Sequence, residues 1–309
     1  MPPPSPRAAD HRTSGLIFAL SAHVLWGVLT LYFIALAPAT AWEIVAWRVV
    51  FSLVFCALLL TVTRAWRPFI GLLRTPRILF TMALAGALIY VNWQTYVLAT
   101  VTGHVVEAAL GYFINPIVTI LLGVLVQREG LRPAQWVAVG LSAVAVVVLA
   151  VGYGAFPWIA LVLALSFGLY GLIKKRVGPA VDAVSGLTLE TMWLTPVAVV
   201  QLVVVGMTAG ITLGAYGVWH AVALAGAGVV TAVPLLFFAA ASRRLPLVYM
   251  GFVQYITPLI QFLVGVFVLH EAMPPERWLG FGIVWLALVV LSADMILSAR
   301  ATRRDARLA

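Results

Sequence analysis

The side chains able to do chemistry in this chain sit inside long apolar runs, where every polar group is costly and has to serve a purpose. His23, Trp26, Gly27 and Thr30 follow the i, i+3, i+4, i+7 spacing that puts them on one helical face. Asn92 and Tyr96 stand one turn apart with Trp93 beside them, and Glu107, Gly111 and Asn115 form a stripe that ends at Pro116. Ser166 and Tyr170 are again one turn apart, and Gln254, Pro258 and Gln261 share a face. Groups of this kind either tie helices together by hydrogen bonds or line a wet path for a polar solute. Several polar faces in one chain favour a shared cavity.

Two charges need separate treatment. Arg48 lies about a turn and a half into the second apolar run, and Glu190 holds the equivalent place 142 residues later. A charge at the centre of a bilayer costs roughly 2.5–3.5 kcal/mol on insertion scales, so each needs a partner or a role. Glu107, at the start of another run on the same side, is the expected partner: an Arg48–Glu107 ion pair lining the outer half of a path. The candidate path residues are therefore His23, Trp26, Arg48, Asn92, Trp93, Tyr96, Glu107, Tyr112, Asn115, Tyr170, Glu190, Gln254 and Gln261. Among them His23, Glu107 and Glu190 are able to bind protons, which makes proton coupling one option beside exchange and uniport. Glu129 and Glu271 sit before prolines that open helices and read as structural carboxylates capping backbone amides.

The elements that must position these groups are membrane helices. The chain is 63% hydrophobic and 9% charged, against roughly 25% charged in soluble domains, so it has too little polar surface to cover a soluble core. Ten apolar runs are long enough to span a bilayer of ~30 Å. They lie near residues 14–37, 43–63, 78–100, 105–127, 134–151, 156–173, 184–205, 218–241, 246–269 and 276–298. Residues 1–13, with four prolines and no apolar periodicity, read as a disordered tail, and residues 299–309 as a basic one. The net charge of +9 does not signal nucleic acid here, because 17 of the 19 Lys and Arg fall in alternate connections and the two tails. Arg277 alone lies on the other side. By the positive-inside rule both termini are cytoplasmic. The single cysteine, Cys56, lies inside an apolar run and reads as a buried hydrophobe.

The chain also contains part of itself twice. Residues 114–149 match residues 256–291 at 14 of 36 positions, without a gap. The shared set includes Pro116/Pro258, Gly123/Gly265, Glu129/Glu271, Pro133/Pro275, Trp136/Trp278 and Gly140/Gly282. Chance similarity between apolar helices preserves Val and Leu, but rarely Glu, Pro and Trp in register. The copies begin five spans apart, so they cross the membrane in opposite directions. The charges follow: Arg128 and Arg132 become His270 and Pro274, while Val101 and Thr102 become Arg243 and Arg244. The expected fold is an all-α polytopic membrane protein of ten helices in two inverted five-helix repeats, residues 14–151 and 152–298. Inverted repeats point to a secondary transporter with its site at the repeat interface.

Asn92-Trp93, Glu107-Ala-Ala-Leu-Gly-Tyr112-Phe-Ile-Asn115-Pro116, Pro157-Trp158, Leu165-Ser-Phe-Gly-Leu-Tyr170-Gly, Leu189-Glu190 and Gly251-Phe-Val-Gln254-Tyr-Ile-Thr-Pro258 resemble the signature of the RarD proteins. These belong to the EamA group of the drug/metabolite transporter superfamily. The resemblance runs from about Ser14 to Asp294, and the Gly-Tyr-Phe-Ile-Asn-Pro run is its most specific part. It implies ten helices in two inverted halves, a central cavity and the bacterial inner membrane. Trp47 stands before Arg48 where the pattern has His, and Arg128 and His270 precede the turn glutamates where Gly is common. The family label carries an association with chloramphenicol sensitivity that does not settle a substrate.

The expected function is an inner-membrane permease for small organic solutes, working as an exporter by alternating access, with the lipid bilayer as its other partner and no cofactor. No G-x-x-x-x-G-K-[ST], H-E-x-x-H or G-x-S-x-G occurs, so neither ATP drive nor an intramembrane hydrolase is supported. The alternative is a membrane scaffold or sensor without flux. Substrate, direction, coupling ion and oligomeric state are open at this level.

Overall fold

Helix starts follow local signals that the sequence carries openly. The computed structural model describes residues 6–127, 132–152, 156–178, 180–242, 244–245, 250 and 253–308. Pro6, Pro76, Pro133 and Pro275 each occupy the first position of a helix, where a missing N–H is harmless and φ is already set. Thr40 caps α2 (Ala41–Val62) by accepting from Glu43 N, and Asp182 caps α8 (Ala183–Thr208) by accepting from Val184 N and Ser185 N. The other helices are α1 (Pro6–Ala35), α3 (Trp66–Leu73), α4 (Pro76–Val101), α5 (Val105–Gln127), α6 (Pro133–Gly152), α7 (Trp158–Val177), α9 (Gly217–Ser242), α10 (Ile256–Leu263) and α11 (Pro275–Leu308). A π turn, Val264–Val268, prolongs α10.

Three points differ from the sequence expectation. Residues 6–13, expected as a disordered tail, extend α1, since no glycine or second proline interrupts them after Pro6. The basic second connection contains α3, a short amphipathic helix that buries Phe69. Against the ten expected spans, eight helices among the described residues are long and apolar enough to cross a membrane. The sixth and ninth positions hold the shorter apolar stretches Trp158–Lys174 and Ile256–Val268. Lys174 and Lys175 end the first; residues 246–249 and 251–252 of the second lie outside the described residues. Glu129 and Arg128 lie outside them as well.

The helices pack as an all-α bundle. α2 lies against α8 and α9, α4 against α7 and α8, and α1 against α9 and α10. α5 packs on α7 and α10, while α6 and α11 pair with each other. Close approach rests on small residues, as it must where lipid supplies no hydrophobic drive between helices. A Cβ on Gly228 of α9 would stand 2.3 Å from the Phe51 carbonyl carbon of α2, and one on Gly111 of α5 would stand 2.7 Å from Ala160 O of α7. The outward faces are apolar: Leu58, Phe80, Val147, Val200 and Val289 are all exposed. Exposed Trp42, Trp136, Trp158, Trp219 and Trp278 stand in the first turn of their helices, the level at which indoles favour a membrane interface. An apolar exterior around a partly polar interior is that of a multi-pass membrane protein.

Candidate functional site

The interior of the bundle holds a connected polar group built mainly from α1, α2, α4, α5, α7 and α10. Gln261 Nε2 donates to Tyr96 Oη at 3.0 Å, and Tyr96 Oη lies 2.7 Å from Thr30 Oγ1, which can donate on to Gly27 O. Tyr112 Oη donates to Asn92 Oδ1 at 2.9 Å, while Asn92 Nδ2 donates to Leu163 O and Ser166 Oγ. The rings of Tyr96 and Tyr112 meet edge to face, and Phe167 and Tyr170 continue the aromatic file. All the polar members are helix-borne, so their placement is fixed by helix packing and not by loops.

Arg48 lies in this region, 4% exposed. Its Nε donates to Thr231 Oγ1 of α9 at 2.8 Å. Its guanidinium carbon stands 4.1 Å from the Trp93 ring centroid and 5.4 Å from that of Phe33. Nη1 is buried without a hydrogen-bond partner. The expected Arg48–Glu107 ion pair does not form. The Glu107 carboxylate instead accepts from Ile159 N at 3.1 Å, at the first turn of α7, where backbone amides are unpaired and the helix dipole favours an anion.

Glu190 has a cation of its own. Its Oε1 accepts from Lys174 Nζ at 2.9 Å and its Oε2 from Tyr170 Oη at 3.3 Å. Lys174, one of the basic residues that the charge pattern assigns to a connection, belongs to α7. His23 is also apart from the central group: its Nδ1 lies 3.0 Å from Thr257 Oγ1, and its ring packs against Trp26 and Phe238. Asn115 donates to Ala164 O and ties α5 to α7. Gln254 lies half-buried in the turn before α10. The structure therefore gathers Arg48, Asn92, Trp93, Tyr96, Tyr112 and Gln261, and it places Glu107, Glu190, His23, Asn115 and Gln254 elsewhere.

At the end of the bundle opposite the basic loops, carboxylates hold backbone amides of distant elements. Glu43, absent from the sequence candidates, is fully buried; its Oε1 accepts from Thr212 N at 2.8 Å and from Trp47 Nε1 at 3.2 Å. Its only sequence signal is a carboxylate in the first turn after an N-cap. Glu271 caps, as expected, but it caps α5 through Val105 N and Val106 N and not the helix that follows it. Burial raises the Glu271 carboxyl above the usual carboxylate range against the pull of those two amides. Glu107, His104, Phe156, Trp158, Arg277 and Phe281 are among the residues lining a pocket of about 440 Å³ at this end. Gln201, also passed over, bridges Trp42 O, Gln94 and Tyr90 and joins α2, α4 and α8.

Residues 13–151 match the model of the EamA-like transporter family. Protein RarD of Streptomyces exfoliatus is 48% identical over 297 residues, covering 96% of this chain and 94% of that protein. Protein RarD of Escherichia coli (strain K12) is 38% identical over 296 residues, 96% and 99% of the two chains. An uncharacterized transporter of Vibrio cholerae is 40% identical over 291 residues, 94% and 95% of the two. One crystal structure superposes with a TM-score of 0.58 at 17% identity, over 94% of this chain and 99% of that one, and so shares the fold. With apolar spanning helices around a helix-borne polar interior, the chain belongs to the EamA-like transporters as a RarD-type member of the drug/metabolite transporter superfamily and is a membrane transporter of that type.

Proposed function

We propose that this protein is a secondary transporter that exports small organic solutes across a bacterial inner membrane, by alternating access between two inverted repeats of five helices. In this reading both termini are cytoplasmic, and the repeats meet near residue 152. The observation that carries it is that helix packing survives exchange of the two halves. Advancing each first-half helix by five spans turns α1 into α7, α2 into α8, α4 into α9, α5 into α10 and α6 into α11. Under that exchange α1–α9 becomes α7–α4, α2–α9 becomes α8–α4 and α5–α7 becomes α10–α1, and both members of each pair are in contact. The pairs α2–α8, α5–α10 and α6–α11 map onto themselves and are also in contact.

Details agree with the same offset. α2 and α8 start 142 residues apart behind the caps Thr40 and Asp182, and α6 and α11 start 142 apart at Pro133 and Pro275. Gly86 approaches α8 at Glu190, and Gly228, 142 residues on, approaches α2 at Phe51. Gly168 meets Val118 much as Gly27 meets Ile260; Val118 and Ile260 are 142 residues apart and the two glycines 141. Internal symmetry of this kind supports alternating access, in which the halves trade roles around a site at their interface. The polar interior lies where helices of both halves meet, with Thr30, Tyr96 and Asn92 from the first and Gln261, Ser166 and Thr231 from the second.

The test is efflux from proteoliposomes loaded with amino acids, nucleosides and aromatic metabolites, with and without an imposed pH gradient. Wild type should release a subset of solutes, and a folded Arg48→Ala variant should not. Gradient dependence would identify proton coupling. Correctly inserted protein that releases nothing from a broad panel would refute the transport reading.

A further inference from the structure

Arg48 is a cation held in position and left without an anion. Its Nε is used by Thr231, whose own hydroxyl donates to Ala227 O, so Thr231 fixes the side chain without touching the rest of the fork. One face of the guanidinium lies over Trp93, and Phe33 stands to the side. The ion pairs Arg132–Asp294 and Lys174–Glu190 do not involve Arg48, and among the described residues no carboxylate neutralises it. The acidic side chains nearest in expectation are committed elsewhere: Glu107 to α7 and Glu43 to the Thr212 amide. Nη1 is buried with no acceptor. Nearby, Gln261 donates to Tyr96 and leaves its own Oε1 buried without a partner.

We propose that Arg48 binds the carboxylate of a small organic monoanion whose apolar part lies against the surrounding aromatic rings. The proposal names a substrate class for the transport described above and rests on that reading. The chemistry follows from the donor set. A guanidinium presents a planar fork that matches a carboxylate with two parallel N–H···O bonds. A single fixed cation balances a single negative charge; a phosphate dianion would stay half uncompensated in a low-dielectric interior. A neutral solute would leave Arg48 as it stands. The surrounding rings are Trp93 and Phe33, with Tyr96 against Phe33 and Tyr112 against Tyr96; they favour a flat apolar body, and Gln261 Oε1 is an acceptor for a donor on that body. Arg48 is then a binding residue, oriented by its hydrogen bond to Thr231.

The experiment follows thermal unfolding of the full-length protein in detergent with phenylacetate and indole-3-acetate, each beside its primary amide. Acid and amide have nearly the same shape and differ in charge. The acids should raise the unfolding temperature of wild type with an apparent affinity at least about tenfold above the amides, a difference of about 1.4 kcal/mol. Arg48→Gln should bring acid down to the level of amide while leaving the ligand-free protein as stable as wild type. Arg48→Lys, which keeps the charge and loses the fork, should keep a weaker preference for acid, and it decides the matter if Arg48→Gln does not fold. Equal binding of acid and amide, binding of neither, or an acid preference that survives in Arg48→Gln would each overturn the proposal. Efflux of the same four compounds separates it from the transport reading. Flux of the amides without acid preference leaves transport standing and removes the carboxylate site; acid binding through Arg48 with no flux does the reverse.

Discussion

Replacing Lys174 with Met should destabilise the protein by an amount that depends on pH in a calculable way. Lys174 Nζ lies 2.9 Å from Glu190 Oε1, and the side chains are 30% and 1% exposed respectively. Losing the cation leaves a buried carboxylate whose remaining partner is the Tyr170 hydroxyl at 3.3 Å. Breaking a buried pair from one side typically costs about 3–5 kcal/mol. A carboxyl has a way out, because it can take up a proton and enter the folded state neutral. From an ordinary carboxyl value of about 4.3, that protonation costs about 3.7 kcal/mol at pH 7 and about 1 kcal/mol at pH 5, which caps the penalty at each pH. The sign is fixed by linkage: the folded variant holds a proton that the unfolded chain has released, so its deficit against wild type grows as pH rises. The partial exposure of Lys174 makes both figures ceilings. Thermal or chemical unfolding of wild type, Lys174→Met, Glu190→Gln and the double variant at the two pH values completes a double-mutant cycle. The double variant should recover most of the loss at pH 7. A deficit that does not change with pH, or a double variant as unstable as Lys174→Met, would refute the reasoning and return Lys174 to a loop charge.

Gly228→Val should abolish monodisperse protein on size exclusion, since its Cβ would overlap the Phe51 backbone, whereas Gly140→Ala, with open space around it, should change stability by no more than about 1 kcal/mol. Asn92→Leu should lower stability by about 1–3 kcal/mol, because the Tyr112 hydroxyl and Leu163 O lose a buried partner, and it should suppress efflux. In a Cys56→Ser background, a cysteine at Ala215 should react with an impermeant maleimide added outside cells, and one at Thr75 only after permeabilisation; the opposite pattern would invert the topology. Glu271→Gln keeps an acceptor for only one of Val105 N and Val106 N and sets an amide NH2 against the other, so it should be less stable than wild type; because burial raises the carboxyl, that deficit should be larger near pH 4 than at pH 8 by unfolding in detergent.

The sequence by itself determined the class of molecule, the order of its membrane helices and the gathering of its basic residues in alternate connections. These follow from properties each segment carries alone: apolar length, a proline or Thr/Asp at a helix start, Lys and Arg confined to alternate connections. The duplication was legible for a related reason, since Glu129, Pro133 and Trp136 recur in register whatever surrounds them. Polar faces were legible too: the structure gathers Asn92, Tyr96 and Gln261, which spacing marks, with Arg48, marked as a charge inside an apolar run, and with Trp93 and Tyr112. What only the tertiary structure decided is who meets whom. Charge placement puts Glu107 and Arg48 on the same expected side, yet Glu107 serves the α7 amides 52 residues away and Arg48 meets Thr231, 183 residues on. Glu43 reaches Thr212 and Glu271 reaches Val105, at separations that no local pattern encodes. A carboxylate's partner depends on the rotation and depth of two packed helices, and those are set by small residues such as Gly111 and Gly228 acting across the bundle. Spacing along one helix says which groups share a face; it carries no information about the helix that face will touch.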